Sequence, residues 1–280
     1  MDPKELFNQT TFECSKLITE RYSTSFTLGI KTLDKKYHYP IYAVYGFVRY
    51  ADEIVDTFHD QDKEGLLEEF KRDTFRAIKA GISLNPVLHC FQMVVNTYQI
   101  DHALIEAFLH SMAMDLKDIE YDKATYEEYI YGSAEVVGLM CLKVFSEGDE
   151  QEYNRLIAPA KSLGAAFQKI NFLRDIKSDF YDRGRVYFPD VDFNHFNEQD
   201  KLNIEQDIAE DFQAAYLGII KLPKGARLGV YLAYTYYKNL FQKIKNCEPQ
   251  KILEERIRVP DSKKLLLLVG SYVKHRLNTL

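Results

Sequence analysis

The chain has 280 residues, 46% of them hydrophobic and 28% charged, with a net charge of −6 and a pI near 5.7. That composition supports a large buried core in one domain or two closely fused ones, and it excludes a disordered chain. The acidic balance excludes a general electrostatic affinity for nucleic acid or anionic lipid headgroups, so an anionic substrate would need local Arg, Lys or metal. Cys14, Cys90, Cys141 and Cys247 lie far apart with no CxxC or His/Cys metal spacing, and buried free thiols in a reducing compartment are expected. The opening MDPKELFNQT lacks a signal-peptide layout. The apolar run Leu265 to Val269 is far below the roughly 20 residues that span a bilayer, so a cytoplasmic protein is expected.

Apolar residues recur at three- and four-residue steps along most of the chain. After the polar run Asp34 to His38, Pro40 reads as the start of a helix over Ile41 to Phe58, followed by segments over Glu64 to Ile82, His102 to Ile119 and Tyr126 to Phe145. The next segment, Leu156 to Tyr181, should be opened or kinked at Pro159 and ended at Gly184. A surface loop over Pro189 to Gln199 then leads to helical patterns over Gln199 to Ile220, Arg227 to Lys245 and Ser262 to Leu277. Strand-like alternation is nearly absent, which predicts an all-α protein of about eight to ten helices. No stretch has the composition of a flexible linker, so residues 1–280 are expected to form one domain.

Two of these helices carry an unusual polar stripe. At about 100° per residue, Tyr45, Arg49, Asp52 and Asp56 fall within about 60° of one another, and Gln168, Asn171, Asp175 and Asp179 within about 80°. Phe47, Val48, Ile54 and Val55 flank the first stripe, and Ile170, Phe172, Leu173 and Ile176 the second. Carboxylates four residues apart repel unless a cation lies between them, and hard oxygens at that spacing suit Mg²⁺. The DxxxD pattern alone is weak. It occurs at Asp52/Asp56, Asp56/Asp60, Asp118/Asp122, Asp175/Asp179 and Asp207/Asp211; Asp118/Asp122 reads as a helix end and Asp207/Asp211 as a solvated face.

These residues carry a resemblance. The run Leu163-Gly164-x₃-Gln168-x₂-Asn171-Phe172-x-Arg174-Asp175-x₃-Asp179-x₅-Arg185-x-Tyr187-x-Pro189 resembles the signature of the squalene/phytoene synthase family, most like its bacterial phytoene synthases. The segment Tyr45 to Asp56 is similar to the family's first aspartate-rich helix. Ser23-Thr-Ser25-Phe26 resembles its SxSF element, Met114-Asp115-Leu116 a further segment, and Arg256-Ile-Arg-Val-Pro260 its C-terminal basic element. One departure is visible: Ser133 and Glu135 stand in the small-residue run that follows the family's tyrosines.

The resemblance implies an isoprenoid-synthase-type helical bundle around a central apolar cavity. It implies head-to-head condensation of two geranylgeranyl diphosphates through a cyclopropyl diphosphate to phytoene, in carotenoid biosynthesis. Squalene or dehydrosqualene synthesis from farnesyl diphosphate is the alternative, and an inactive homologue acting as an assembly partner a second. Asp52, Asp56, Asn171, Asp175 and Asp179 are expected to hold Mg²⁺, with Mn²⁺ as a substitute and no NADPH. Arg49, Arg174 and Arg256 suit diphosphate oxygens. Tyr22, Ser23 and Ser25 either donate to the same group or cap a helix. Tyr45, Tyr131 and Tyr237 either face substrate and carbocations or belong to the core, and Gln168 is expected to orient a water or an intermediate. Arg174, Arg183 and Arg185 either meet the second diphosphate or balance the carboxylates. The partners implied are two prenyl diphosphates, no nucleic acid, and at most a peripheral membrane contact for product release.

Overall fold

The computed structural model describes residues 2–117, 121–182, 186–189, 191–258 and 271. Asp118, Arg183, Gly184, Arg185 and the helix expected over 262–277 (Ser271 apart) lie outside the described residues.

Among the described residues there are twelve α-helices and no strand. They begin with α1 (Pro3–Tyr22), α2 (Thr24–Lys31), α3 (Lys35–Asp56), α4 (Lys63–Ala80), α5 (Pro86–Tyr98) and α6 (His102–Met114). The second half holds α7 (Lys123–Ile130), α8 (Val136–Ser146), α9 (Glu150–Ile176), α10 (Glu198–Ile219), α11 (Lys224–Lys245) and α12 (Pro249–Glu254). Two π-helical segments interrupt the α geometry, Tyr131–Glu135 between α7 and α8 and Lys177–Asp182 after α9. Local chemistry sets many of the ends. Asn85 accepts hydrogen bonds from the Val87 and Leu88 amides ahead of α5, Asp149 from Gln151 and Glu152 ahead of α9, and Asn197 and Asp200 form a reciprocal capping box on α10.

Four local expectations are corrected. Pro40 lies inside α3, because the helix starts at Lys35 and its first turn is fixed by the buried ring of Tyr37. For Pro159 it is the opening of the helix that is overturned: the residue lies inside α9, which the Asp149 cap starts well upstream. Asp122 caps the start of α7 by accepting from the Thr125 amide. Asp207 is exposed, as expected, but Asp211 is not, and both reach the Lys169 ammonium, at 2.6 and 2.7 Å. The Lys169 side chain is only 9% exposed, and an ammonium so enclosed needs carboxylate partners. The pair therefore clips α10 to α9.

Two apolar clusters support the bundle. One gathers α3, α4, α5, α6 and α8 about Phe47, stacked on Phe91 with ring centroids 3.9 Å apart. The other gathers α7, α9, α10 and α11 about Ile170, Leu173 and Leu240. Gly164 lets α9 lie backbone against backbone on the first π segment. A Cβ there would stand 2.7 Å from the Ala134 carbonyl oxygen and 3.0 Å from the Glu135 Cα. Replacing Gly164 by Leu forces these elements apart and should cost about 1–3 kcal/mol or more. Urea unfolding should show a lowered midpoint, and an unchanged midpoint would contradict this packing.

Candidate active site

A cavity of about 750 Å³ runs through the bundle, walled by residues from Tyr22 in α1 to Arg256 after α12. Its two ends differ in chemistry. At one end α3 presents Asp52 and Asp56, while α9 and the π segment after it present Gln168, Asn171, Asp175 and Asp179. Arg49, Arg174, Arg256, Tyr22, Ser23, Ser25, Tyr45 and Tyr237 line the same cavity. Among the described residues, every sequence-expected site residue except Tyr131 is thus brought to one cavity. Tyr131 packs instead under the Lys161 ammonium, 5.0 Å from its ring centroid. Lys161 also pairs with Glu135 at 3.0 Å, so Glu135 faces a neighbouring helix.

The α-helical arithmetic holds for α3 but stops at Ile176 on the second stripe. From Lys177 the chain widens into π geometry, and Asp179 turns inward to 8% exposure. π segments of this kind recur at functional sites, where they re-aim a side chain without ending the helix.

Arginines accompany the carboxylates. The Arg174 Nε donates to both Asp175 oxygens at 3.1 Å, and the Arg256 Nε lies 2.8 Å from Asp175 Oδ1. Arg49 pairs with Glu53, stands 3.9 Å from Asp52, and places its guanidinium over the Tyr22 ring at 4.4 Å. The Tyr237 hydroxyl donates to Asn171 Oδ1 at 3.2 Å, and its ring stacks on Phe167 with centroids 3.9 Å apart. Ser23 caps α2 by accepting from the Phe26 amide while lining the cavity, so its cap role is real and its oxygen still faces the site.

Two residues that sequence reasoning did not single out join this end. Asp115, just after α6, accepts from the Tyr129 hydroxyl at 2.8 and 2.9 Å and from Tyr187 at 3.4 Å. Both Asp115 and Tyr129 line the cavity. The Met114-Asp115-Leu116 segment held the signal for Asp115; Tyr129, two residues before the tyrosine favoured from sequence, had none that separated it from its neighbours.

Among the described residues no three His, Cys, Asp or Glu side chains converge into a complete metal cage. The donors present are nevertheless those a hard divalent cation takes: carboxylates in pairs, with an amide oxygen, leaving positions for phosphate oxygens. Burial, opposed by Arg49 and reinforced by Asp56 and Asp115, pushes the Asp52 carboxyl up to about 7. Its charged form is disfavoured where it stands, and a cation bound among these oxygens would relieve that.

A sequence profile for squalene/phytoene synthases matches residues 19–263. The chain belongs to the squalene/phytoene synthase family. It is 28% identical to a 15-cis-phytoene synthase of Synechocystis sp. over 95% of this chain and 86% of the relative. It is 34% identical to a presqualene diphosphate synthase of Sinorhizobium fredii, over 61% of this chain and 60% of that one. The fold matches the crystal structure of a dehydrosqualene synthase in complex with ligand, with TM-score 0.80, 23% identity and complete coverage of both chains. This family member is therefore a prenyltransferase-type enzyme of isoprenoid synthesis, and its family uses a divalent metal to ionise diphosphates. Among the described residues no helix is long and apolar enough to cross a membrane.

The raised Asp52 pKa has a sign that can be tested. The folded protein holds this proton up to about pH 7, whereas an unfolded aspartate loses it near 3.8. The associated stability is complete below the lower value and is lost as pH rises through the upper one. Asp52→Asn should therefore melt higher than wild type at pH 8 without metal, with the difference fading toward pH 4. Scanning calorimetry across that range checks it, and a variant less stable than wild type at pH 8 would contradict it.

Proposed function

We propose that this enzyme is a phytoene synthase, condensing two geranylgeranyl diphosphates head to head. The relatives that match most of its length carry that name. The observation that carries the chain length is the extent of the cavity. Leu156 and Gln168, where the polar stripe begins, both line it, and about 18 Å of α9 separates them at 1.5 Å per residue. An isoprene unit has four backbone bonds where an extended residue of about 3.4 Å has three, so it adds about 4.5 Å. Twenty carbons then reach about 18 Å from the diphosphate and fifteen only about 14 Å, leaving about a quarter of the apolar wall uncovered.

In this reading Asp52, Asp56, Asn171, Asp175 and Asp179 hold Mg²⁺, which when bound supplies Lewis-acid neutralisation of the departing diphosphate. Arg49, Arg174 and Arg256 bind diphosphate oxygens, the last two exchanging Asp175 for substrate. Tyr22, Ser23 and Ser25 donate hydrogen bonds at the rim, and Gln168 orients the group held by its neighbour Asn171. The allylic C–O bond of one substrate breaks with its electron pair leaving on diphosphate, and the double bond of the second attacks the cation. Proton loss closes a cyclopropane; the second diphosphate then leaves, the ring rearranges, and a second proton is lost. Atoms balance as two diphosphates, two protons and a forty-carbon triene-centred hydrocarbon, with no reductant consumed. The faces of Tyr45 and Tyr237 suit the cationic stages. Asp115 fixes Tyr129 beside the acids, and the aliphatic walls exclude the water that would quench the cations.

The dehydrosqualene-synthase likeness favours a second reading, with fifteen-carbon substrates and a thirty-carbon product. Incubation with geranylgeranyl and farnesyl diphosphate separately, with Mg²⁺ and without NADPH, distinguishes them. The expected result is a forty-carbon hydrocarbon from the first, and a thirty-carbon hydrocarbon formed in preference would overturn the assignment. Asp52→Asn and Asp175→Asn should each reduce turnover at least about a hundredfold with helix content unchanged. Undiminished diphosphate release in both would remove the metal role from these residues.

A further inference from the structure

The apolar end of the cavity is closed by a residue with an unusual support. Phe145 is the last cavity-lining position on α8, about 18 Å along the helix from Ser133 near the acids. Leu33, Leu156 and Leu222 line the same end, and their aliphatic chains can shift between rotamers. Phe145 is held differently. Its ring meets the edge of Tyr37 at 87°, with centroids 5.3 Å apart. Tyr37 is 1% exposed and does not line the cavity; it stands behind the phenylalanine. Its hydroxyl donates to Glu147 Oε1 at 2.5 Å, and the Lys36 ammonium reaches the same oxygen at 2.5 Å. Glu147 is itself fixed as the left-handed C-cap of α8, at φ 50°. The end of the cavity is therefore a ring braced by a second ring, which is tied by a hydrogen bond and an ion pair across α3 and α8.

This bracing stays intact over ordinary pH. Hydrogen bonds from Lys36 and then Tyr37 hold the Glu147 carboxyl below the usual range. Burial, with Glu147 adding to it, pushes the Tyr37 phenol up to about 12. Neither partner changes charge near neutrality, so the wall does not soften there.

We propose that Phe145 is the end wall that limits the length of prenyl chain the cavity accepts, with Tyr37 as the positioning residue that keeps the wall from yielding. The proposal rests on the prenyl diphosphate reading of the acidic end. Removing the ring would open the cavity toward Tyr37 by roughly the depth of a side chain, room for part of one more isoprene unit. Hydrophobic pockets discriminate by about ten- to two-hundredfold per methylene that fits or fails to fit.

The test is binding of the farnesyl, geranylgeranyl and geranylfarnesyl thiolodiphosphates, of fifteen, twenty and twenty-five carbons, with Mg²⁺ by calorimetry. These analogues keep the diphosphate but ionise poorly. Full-length wild type, Phe145→Ala, Phe145→Leu and Tyr37→Phe are compared, with inorganic diphosphate as a probe of the acidic end alone. The expected result is a rise of at least about tenfold in twenty-five- over twenty-carbon affinity in Phe145→Ala. Phe145→Leu should give a smaller rise, and Tyr37→Phe a rise with the Phe145 ring still present; diphosphate affinity should not change. Ratios within about twofold of wild type in both Phe145 variants would overturn the wall. Should Phe145→Ala fail to fold, Phe145→Leu decides alone, because it nearly conserves volume. Binding of the analogues by a wild type that does not turn over the corresponding natural diphosphates would count against the synthase assignment while leaving the wall standing. Wild type that binds none of the three analogues would overturn both.

Discussion

Asp52, Asp56, Asp115, Asp175 and Asp179 share one end of a cavity whose remaining wall is aliphatic and aromatic, and like charges in such surroundings repel unless cations lie among them. The protein supplies part of the answer itself. Arg174 and Arg256 both engage Asp175, Arg49 stands beside Asp52, and Tyr129 and Tyr187 donate to Asp115. Burial is the main reason that the Asp52 carboxyl stays raised, with Asp56 and Asp115 adding to it against Arg49. The charged form of Asp52 is disfavoured where it stands, a condition that a divalent cation among these oxygens would relieve.

The same constraint explains the length of the helices. A charged end must be far from the hydrocarbon end for each to keep its own dielectric surroundings, and α9 carries both, from Leu156 to Asp175. Single uninterrupted helices achieve this without exposing backbone polar groups to an apolar cavity. Where a turn of pure α geometry would aim a side chain wrongly, the chain uses π segments. One re-aims Asp179; the other spans Tyr131–Glu135, so that Tyr129 and Ser133 face inward while Tyr131 and Glu135 meet Lys161.

Those interruptions also mark where the sequence was legible and where it was not. The stripe Tyr45, Arg49, Asp52 and Asp56 lies in regular α-helix, and periodicity brought all four to one face correctly. From the sequence Tyr131 stood out and Tyr129 did not, whereas it is Tyr129 that lines the cavity; hydrophobic patterning carries no sign of the π turn that follows it. α1 escaped notice since its buried positions are Thr11, Ser15 and Thr19, small polar residues that let it pack closely without an apolar stripe. Asp207 and Asp211 looked solvated because their partner, Lys169, comes from another helix; no local window contains it. Tertiary pairing, not local propensity, decided each of these.

Lys169 has one more consequence for the site. It lies between Gln168 and Ile170 on α9, so it shares a turn with the polar stripe but points to the opposite side, into α10. Its two carboxylates fix the rotation of α9 about its own axis. If that rotation drifted by one residue's worth, about 100°, Asn171 and Asp175 would leave the cavity and the fully buried Ile170 could enter it. A buried ammonium between two acids tolerates little such drift, because moving it away from both would leave its charge uncompensated. The clip thus fixes the α9 face, while the end wall at Phe145 bounds the opposite limit of the cavity. Between them the protein specifies both the orientation of the diphosphate site and the distance from it at which the hydrocarbon must stop.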